Sequence, residues 1–220
     1  VIRYLMHKLS IPVFGAVANV QLIGKENIPN QGPLLVVGNH FSFVDPVAFV
    51  RLARWPMDFI GAAFPPFAPG WTKLLVNLWG IHKLYRGTGS TEALRAAESI
   101  LKQDGVIGIY PEGGSWATVL RPARPGTAYL AARTGAMLLP VGLYGMNGVF
   151  PLRFRNRATA TINIGKPFGP FKMTGRGRER REKLDEIGHT IMRKIAALLP
   201  DEIRGSYSDD PARRAAAKEF

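Results

Sequence analysis

The sequence predicts an α/β fold: a single domain with a mostly parallel central sheet flanked by helices, and an amphipathic helical segment at the N-terminus. Short continuous apolar runs, typical of strands buried on both faces, alternate along the chain with segments of helical periodicity. The 220 residues are 46% hydrophobic, which is enough for one substantial core. The 17 prolines and 24 glycines are scattered between these runs and punctuate them.

The chain divides into three predicted parts: an amphipathic segment at 1–20, a main domain at 21–200 and a charged tail at 201–220. Apolar residues recur at near-helical spacing in the first part, which predicts a helix that is broken near Pro12. Such a helix either packs on the core or lies on a membrane surface, and both interpretations stay open. No apolar run is long and clean enough to predict a transmembrane helix.

In the first half of the chain, apolar runs of strand length are bounded by turn residues. A helix at 45–54 is predicted to start at Asp45-Pro46, because proline is favoured at the first helical position. The aromatic and proline-rich stretch at 64–79 predicts a membrane-facing loop followed by a short helix, and an aromatic lining of the core is the alternative. The strands predicted in this half are 20–24, 33–38, 57–62 and 81–85.

In the second half, helix boundaries are marked by capping residues. Ser90 is a favourable N-cap for a helix that Gly105 ends, and Gly135 ends a second, short helix. The tail from Gly205 is rich in charge and alanine and is expected to be loosely ordered. The other elements predicted here are strands at 106–110, 137–144 and 158–164 and helices at 126–134 and 178–199.

Composition narrows the possible functions. The formal net charge of +13 predicts an anionic partner such as nucleic acid, an anionic membrane or a phosphorylated substrate. With no cysteine, disulfides, thiolate metal sites and a cysteine nucleophile are excluded. No serine lies in a Gly-x-Ser-x-Gly elbow, which argues against a serine hydrolase. No basic motif with stacking aromatics appears, so we expect no nucleic-acid partner.

Two polar segments follow predicted strands directly. His40 and Asp45, with four residues between them, follow the run at 33–38, and Glu112 lies in a Pro/Gly turn after the run at 106–110. The functional sites of α/β folds lie at strand ends. A histidine base oriented by a carboxylate is able to activate a hydroxyl. The alternative is a surface turn in which Asp45 caps the following helix, and we expect that cap in either case.

These segments belong to a series that resembles the glycerolipid acyltransferase family, which includes 1-acylglycerol-3-phosphate acyltransferases. Four blocks match in order between about residues 20 and 165, which is far more specific than any one block. A basic-x-Gly-x-Ala segment at 124–128 follows the third block. The blocks are Asn39-His40-x-Ser42-x-x-Asp45, Gly80 to Arg86, Tyr110-Pro111-Glu112-Gly113 and Leu139-Pro140-Val141-Gly142.

The resemblance implies that residues 21–200 form an acyltransferase domain. Such a domain moves a fatty acyl group from an acyl-CoA or acyl carrier protein thioester to a hydroxyl of a lysophospholipid, by default 1-acylglycerol-3-phosphate. His40 is then the general base and Asp45 its partner, as in a Ser-His-Asp triad. The thioester is a co-substrate, so no cofactor and no metal are expected. The substrate-binding residues that the resemblance implies are Arg86, Glu112, Gly113, Gly114, Asn39, Ser42 and Arg124.

Departures from the family pattern leave the acceptor open. Relatives continue Pro-Glu-Gly with Thr-Arg-Ser, but here Gly114 and Ser115 follow, and Arg121 or Arg124 is the candidate to replace the missing arginine through space. A lysine common upstream of the second block is also absent, and Ala63 occupies its place. Another lysophospholipid or a glycolipid is therefore the alternative acceptor. The alternative that is not an enzyme is a non-catalytic module that binds anionic lipid. We expect a peripheral or monotopic protein on the cytoplasmic face of the cell membrane.

Overall fold

The computed structural model describes residues 1–62, 70, 72–84, 90–114, 117–152 and 154–217. Within these ranges seven strands form one sheet in the order β1-β7-β6-β2-β5-β3-β4. The strands are β1 (Ala18–Ile23), β2 (Leu34–Gly38), β3 (Met57–Ala62), β4 (Ile81–Leu84), β5 (Val106–Ile109), β6 (Met137–Tyr144) and β7 (Ala158–Ile164). The helices are α1 (Ile2–Val17), α2 (Asp45–Leu52), α3 (Thr72–Trp79), α4 (Ser90–Lys102), α5 (Pro125–Thr134), α6 (Gly177–Ala196) and α7 (Pro211–Ala216).

The sheet is mostly parallel, which confirms the predicted fold class. Strands β6, β2, β5, β3 and β4 run in one direction. Strand β7 is antiparallel to β6, and β1 is parallel to β7. All seven predicted strands are present.

Helices cover both faces of the sheet, so its central strands are buried on both sides. Side chains of α1, α2 and α3 pack with Leu34 and Val36 of β2 in one core cluster. Side chains of α4, α5 and α6 pack with Leu35 and Val37 in a second cluster on the opposite face. The alternation of these four residues follows from the two-residue period of a strand.

Helix α1 runs unbroken through Pro12, so the predicted break is wrong. Contacts with neighbouring elements hold the helix in place and satisfy its carbonyl groups. The Arg51 guanidinium of α2 donates to the Ile11 carbonyl at 2.7 Å, and the Arg157 guanidinium donates to the Gly15 carbonyl at 2.8 Å. Packing between helices thus outweighs the local cost of the proline.

Helix α1 is amphipathic, as its sequence predicts. Its buried side chains include Phe14 and Val17, which join the core. Several large apolar side chains on α1 remain exposed: Ile2, Tyr4, Leu5, Leu9, Ile11 and Val13. Among the described residues, no helix is long and apolar enough to cross a bilayer. The predicted loop at 64–71 lies outside the described residues except for Gly70, whereas the short helix predicted after it is present as α3.

The C-terminal tail is folded from residue 205 to residue 217, so the expectation of loose order is wrong there. It forms 3₁₀ turns and α7, and it packs against the segment that follows Glu112. Leu120 exchanges backbone hydrogen bonds with this tail, donating to the Ile203 carbonyl at 2.9 Å and accepting from the Ser206 amide at 3.3 Å. Long-range pairing of this kind is not visible in a charged, alanine-rich composition.

Candidate active site

The parallel pairing of β2 and β5 places the two polar segments side by side. Leu34 to Val37 pair in register with Val106 to Ile109, so the carboxyl ends of both strands lie at the same edge of the sheet. There the backbone N–H of His40 donates to Glu112 Oε1 at 3.1 Å, across 72 residues of sequence. The position of the site at the carboxyl ends of central parallel strands is typical of α/β folds.

His40 and Asp45 form the hydrogen-bonded pair that their spacing predicts. His40 Nδ1 lies 2.9 Å from Asp45 Oδ2. The Asp45 side chain is 1% exposed and the His40 side chain is 18% exposed. Because a carboxylate oxygen only accepts, Nδ1 carries the hydrogen and Nε2 is left to take a proton from a substrate.

The Asp45 carboxylate also holds the turn that carries His40. Its Oδ2 accepts hydrogen bonds from the backbone N–H groups of Phe41 at 2.8 Å and Ser42 at 2.7 Å. Asp45 is the first residue of α2 rather than its cap, and the cap residue, Val44, makes no side-chain capping bond. The expectation that Asp45 caps the helix is therefore wrong, because its carboxylate folds back onto the preceding turn.

Tyr110, the last residue before the Glu112 turn, supports the imidazole of His40. The two rings stack with centroids 4.2 Å apart and an angle of 18° between their planes, and Phe49 of α2 contacts the tyrosine ring at 4.8 Å. Burial, and then the negative charge of Asp45, raise the pKa of Tyr110 well above its ordinary value. The phenol is therefore neutral. Sequence reasoning placed Tyr110 only in a matching block, although an aromatic residue before Pro-Glu-Gly was a usable signal.

Glu112 joins the His40 turn to the segment that follows the third block. Its Oε2 accepts a hydrogen bond from the Arg121 backbone N–H at 3.1 Å, and the Arg121 Nε lies 3.8 Å from the same oxygen. The Arg121 guanidinium itself donates to the Gly114 carbonyl at 3.0 Å. Burial raises the pKa of Glu112 to about 7, and the hydrogen bonds from the His40 and Arg121 amides oppose that rise.

This raised pKa predicts a pH-dependent contribution of Glu112 to stability. The folded protein holds the Glu112 proton up to about pH 7, whereas the unfolded chain releases it near 4.5. The folded state thus binds more protons in this window, and the unfolding free energy falls as pH rises through it, by roughly 3 kcal/mol at most. Denaturant unfolding of the wild type and of Glu112→Gln, on both sides of the window, measures this difference.

Because glutamine does not titrate, the stability difference between wild type and Glu112→Gln should shrink or reverse as pH rises. Glu98→Gln is a suitable control. A hydrogen bond from Lys102 and the nearby Arg133 charge lower the pKa of Glu98. Glu98 therefore changes the unfolding free energy only in more acidic solution, where its contribution to stability is lost as pH falls. Parallel stability curves for wild type and Glu112→Gln across the window would show that Glu112 titrates normally.

Asn39 and Ser42 brace the turn that carries His40. Asn39 is fully buried, and its side-chain amide pairs with the backbone of Leu143 in β6 through two hydrogen bonds of 2.7 Å. Ser42 Oγ accepts from the Val44 backbone N–H at 3.3 Å, and the Ser42 carbonyl accepts from the Asp45 N–H at 3.1 Å. These bonds attach the residues before and after His40 to the strands and to α2.

Gly113 and Arg124 meet at the turn after Glu112. Gly113 has a φ of +72°, and a Cβ added there would lie 3.2 Å from the Arg124 side chain. The Arg124 backbone N–H donates to the Pro111 carbonyl at 2.7 Å, which holds this arginine beside the turn.

Of the residues predicted for the site, the structure groups Asn39, His40, Ser42, Asp45, Glu112, Gly113, Gly114 and Arg124 at one edge of the sheet, whereas Arg86 lies outside the described residues.

Two buried polar atoms beside the pair, Asp45 Oδ1 and the Tyr110 hydroxyl, have no hydrogen-bond partner among the described residues. A small cavity of about 90 Å³ touches Asp45 and is also lined by Phe41 and by Ile203 of the tail. In the part of the chain that the structure describes, no group of His, Asp or Glu is suited to hold a metal ion.

Comparison with known proteins finds similar sequences and a similar fold. A family model described as "Acyltransferase" matches residues 19–144, more than half of the chain. The chain is 27% identical over 203 residues to the 1-acyl-sn-glycerol-3-phosphate acyltransferase of Borreliella burgdorferi, covering 90% of this chain and 80% of that protein. It is 26% identical to the chloroplastic 1-acyl-sn-glycerol-3-phosphate acyltransferase LPAT1 of Arabidopsis thaliana, covering 76% of this chain and 48% of that one.

Among solved structures, the chain resembles the 1-acyl-sn-glycerophosphate (LPA) acyltransferase PlsC from Thermotoga maritima, with a TM-score of 0.59 and 22% identity. The match covers 86% of this chain and 78% of that one. At this level of identity the likeness concerns the fold.

Proposed function

This chain belongs to the acyltransferase family, and we propose that it acylates a hydroxyl of a lysophospholipid, with 1-acylglycerol-3-phosphate as the acceptor and phosphatidate as the product. The observation that carries the proposal is the His40–Asp45 pair, whose Nδ1–Oδ2 contact of 2.9 Å directs the other imidazole nitrogen to a substrate. Relatives that cover most of this chain are named for that acceptor.

In the proposed reaction His40 acts as general base. Its Nε2 takes the proton of the acceptor hydroxyl while that oxygen attacks the thioester carbonyl carbon. The new C–O bond gives a tetrahedral oxyanion, which backbone N–H groups stabilise. The C–S bond then breaks, and the departing thiolate receives the proton from the imidazolium. Asp45 stabilises the imidazolium in between, and the acceptor hydroxyl takes the part of the serine in a Ser-His-Asp triad.

Two arginines are proposed to bind the phosphate of the acceptor, Arg86 and Arg124. Between the two candidates that could replace the missing family arginine, Arg124 is the better placed. The Arg121 guanidinium donates to Gly114 and lies close to Glu112, so it is already engaged. Arg124 is exposed and packs against Gly113, where a substrate phosphate has access to its planar fork of donors.

Replacing Arg86 with alanine should raise the KM for a phosphorylated acceptor by about 10- to 100-fold, because a charge-assisted contact is lost. The KM for the thioester donor should change much less. Initial rates at varied acceptor and donor concentrations measure both constants. Arg133→Ala is the control, since Arg133 pairs with Glu98 on the surface of α4 and α5. An unchanged acceptor KM in Arg86→Ala would contradict the phosphate role.

The first test of the function itself is thiol release from palmitoyl-CoA by the purified chain, with and without lysophosphatidate. Release that requires lysophosphatidate supports the proposal. Release with other lysolipids or glycolipids, but not with lysophosphatidate, would mean that the acceptor is a different lipid. Release only from acyl carrier protein thioesters would settle the donor. No release with any donor and acceptor would favour the alternative of a non-catalytic module that binds anionic lipid.

We also propose that the protein works at an anionic membrane surface, as a peripheral or monotopic protein on the cytoplasmic face, where acyl-CoA and acyl carrier protein occur. The exposed apolar side chains of α1, together with the net charge of +13, support this location.

A further inference from the structure

The connection between β6 and β7 carries a group of exposed large apolar side chains. Phe150 is 40% exposed, Leu152 is 49% exposed and Phe154 is 69% exposed. We call these three residues the apolar tip. Three large apolar side chains so close together in one connection form a patch that is costly to leave in water.

The apolar tip lies at the same edge of the sheet as the His40–Asp45 pair. It follows the carboxyl end of β6, which is parallel to β2. The Phe150 ring contacts the ring of Phe43 edge-on with centroids 5.4 Å apart, and Phe43 lies in the turn between His40 and Asp45. Whatever the tip binds is therefore held next to the catalytic turn.

The tip is also connected to the end of α1. Arg157 ends the connection, and its guanidinium donates to the Gly15 carbonyl. Near that end of the helix, Ile11 is 40% exposed and Val13 is 61% exposed. The C-terminal end of α1 and the connection that carries the apolar tip thus lie at the same edge of the sheet.

The charge around the tip is positive. Arg155 directly follows Phe154, is exposed, and forms no ion pair with any described residue. The sequence contains no Asp or Glu between Glu112 and Glu179, so the whole connection lies in a stretch whose charged residues are all basic. An arginine beside exposed aromatic rings is the combination that binds anionic bilayers, with rings in the interface and the cation at the headgroups.

We propose that the apolar tip inserts into the interface of an anionic bilayer while Arg155 stays at the headgroups, so that the active-site edge faces the membrane. The proposal deepens the proposed function, since a lipid acceptor would then reach His40 from the bilayer. A protein partner fits less well, because a stable protein interface takes about 800 Å² from each side and three side chains on one connection supply only a fraction of that.

The test is sedimentation of the full chain with vesicles of phosphatidylcholine and phosphatidylglycerol in a 3:1 ratio. The variant is Leu152→Ser with Phe154→Ser, which spares the Phe150 contact with Phe43. The control is Leu22→Ser with Ile23→Ser, which are 37% and 48% exposed at the end of β1 that lies away from the tip. We expect the tip variant to bind at least about 10-fold more weakly, because two large side chains no longer leave water, and the control to stay within about twofold.

Thermal unfolding should show that both double variants are folded. Vesicle binding by the tip variant equal to that of the wild type would overturn the proposal. So would a tip variant that changes self-association in the absence of lipid without changing vesicle binding, because the tip would then contact a second copy of the chain. Vesicle binding is measured without turnover. Absence of thiol release alongside a clear binding defect would therefore count against the proposed function and not against the tip.

Discussion

Replacing His40 with alanine is expected to reduce acyl transfer by about 10³- to 10⁴-fold, the upper part of the range that a positioned general base contributes. Without the imidazole, the base that we propose to take the proton of the acceptor hydroxyl is lost. Asp45 is not expected to replace it, because the Asp45 side chain is 1% exposed and an acceptor hydroxyl has little access to it.

Initial rates of thiol release, with lysophosphatidate present, measure the effect of His40→Ala. The circular dichroism spectrum and vesicle binding should match those of the wild type, since the side chain leaves from a partly exposed position. His7→Ala is the control, because this histidine lies on α1 and its Nδ1 contacts the Val50 carbonyl rather than Asp45. A His40→Ala protein that kept a tenth or more of wild-type turnover would show that another group is the base.

Asp45→Asn is the change with the second largest expected effect, a fall in kcat of about 10²- to 10⁴-fold with little change in KM. The asparagine oxygen is still able to accept from the Phe41 and Ser42 amides, so the turn should survive. What is lost is the negative charge that stabilises the imidazolium. Asp45→Ala also removes the oxygen that accepts the turn's hydrogen bonds and leaves buried N–H groups unpaired. This variant should therefore lower the unfolding free energy as well, by about 2–4 kcal/mol.

Steady-state rates and urea unfolding of the two variants separate these roles. If Asp45→Asn were as active as wild type, the carboxylate charge would be unnecessary and Asp45 would serve the turn alone. The double variant His40→Ala with Asp45→Asn should be no slower than His40→Ala, because Asp45 acts through His40. A further large loss in the double variant would mean that Asp45 acts on the substrate independently.

Much of the fold was predictable because its elements have local signatures. The continuous apolar run of β2 and the capping residues of α4 each identify an element from a few neighbouring residues. Two of the three errors arose where distant contacts override local preference. Pro12 does not break α1, and arginines from α2 and from the connection before β7 hold the helix on either side of it. The tail is ordered because Leu120 pairs with it.

The candidate site divides in the same way. The pairing of His40 with Asp45 follows from a spacing of five residues, which one turn spans, and it was predictable from the motif. The two hydrogen bonds between Asn39 and Leu143 join residues 104 positions apart, and the stacking of Tyr110 on His40 joins two neighbouring strands. Neither has a signature in the sequence near His40.

Local pattern was therefore sufficient for the residue types, the element boundaries to within a few residues and the contact between His40 and Asp45, since all three depend on neighbours along the chain. The order of strands in the sheet was a matter of long-range packing. That order places β2 between β5 and β6, so Glu112 and Asn39 hold the His40 turn from two sides. It also places the apolar tip beside Phe43, because β6 ends at the same edge as β2. Burial and hydrogen bonding between distant segments determine which strands are neighbours. The periodicity along a single strand does not predict which strand lies next to it.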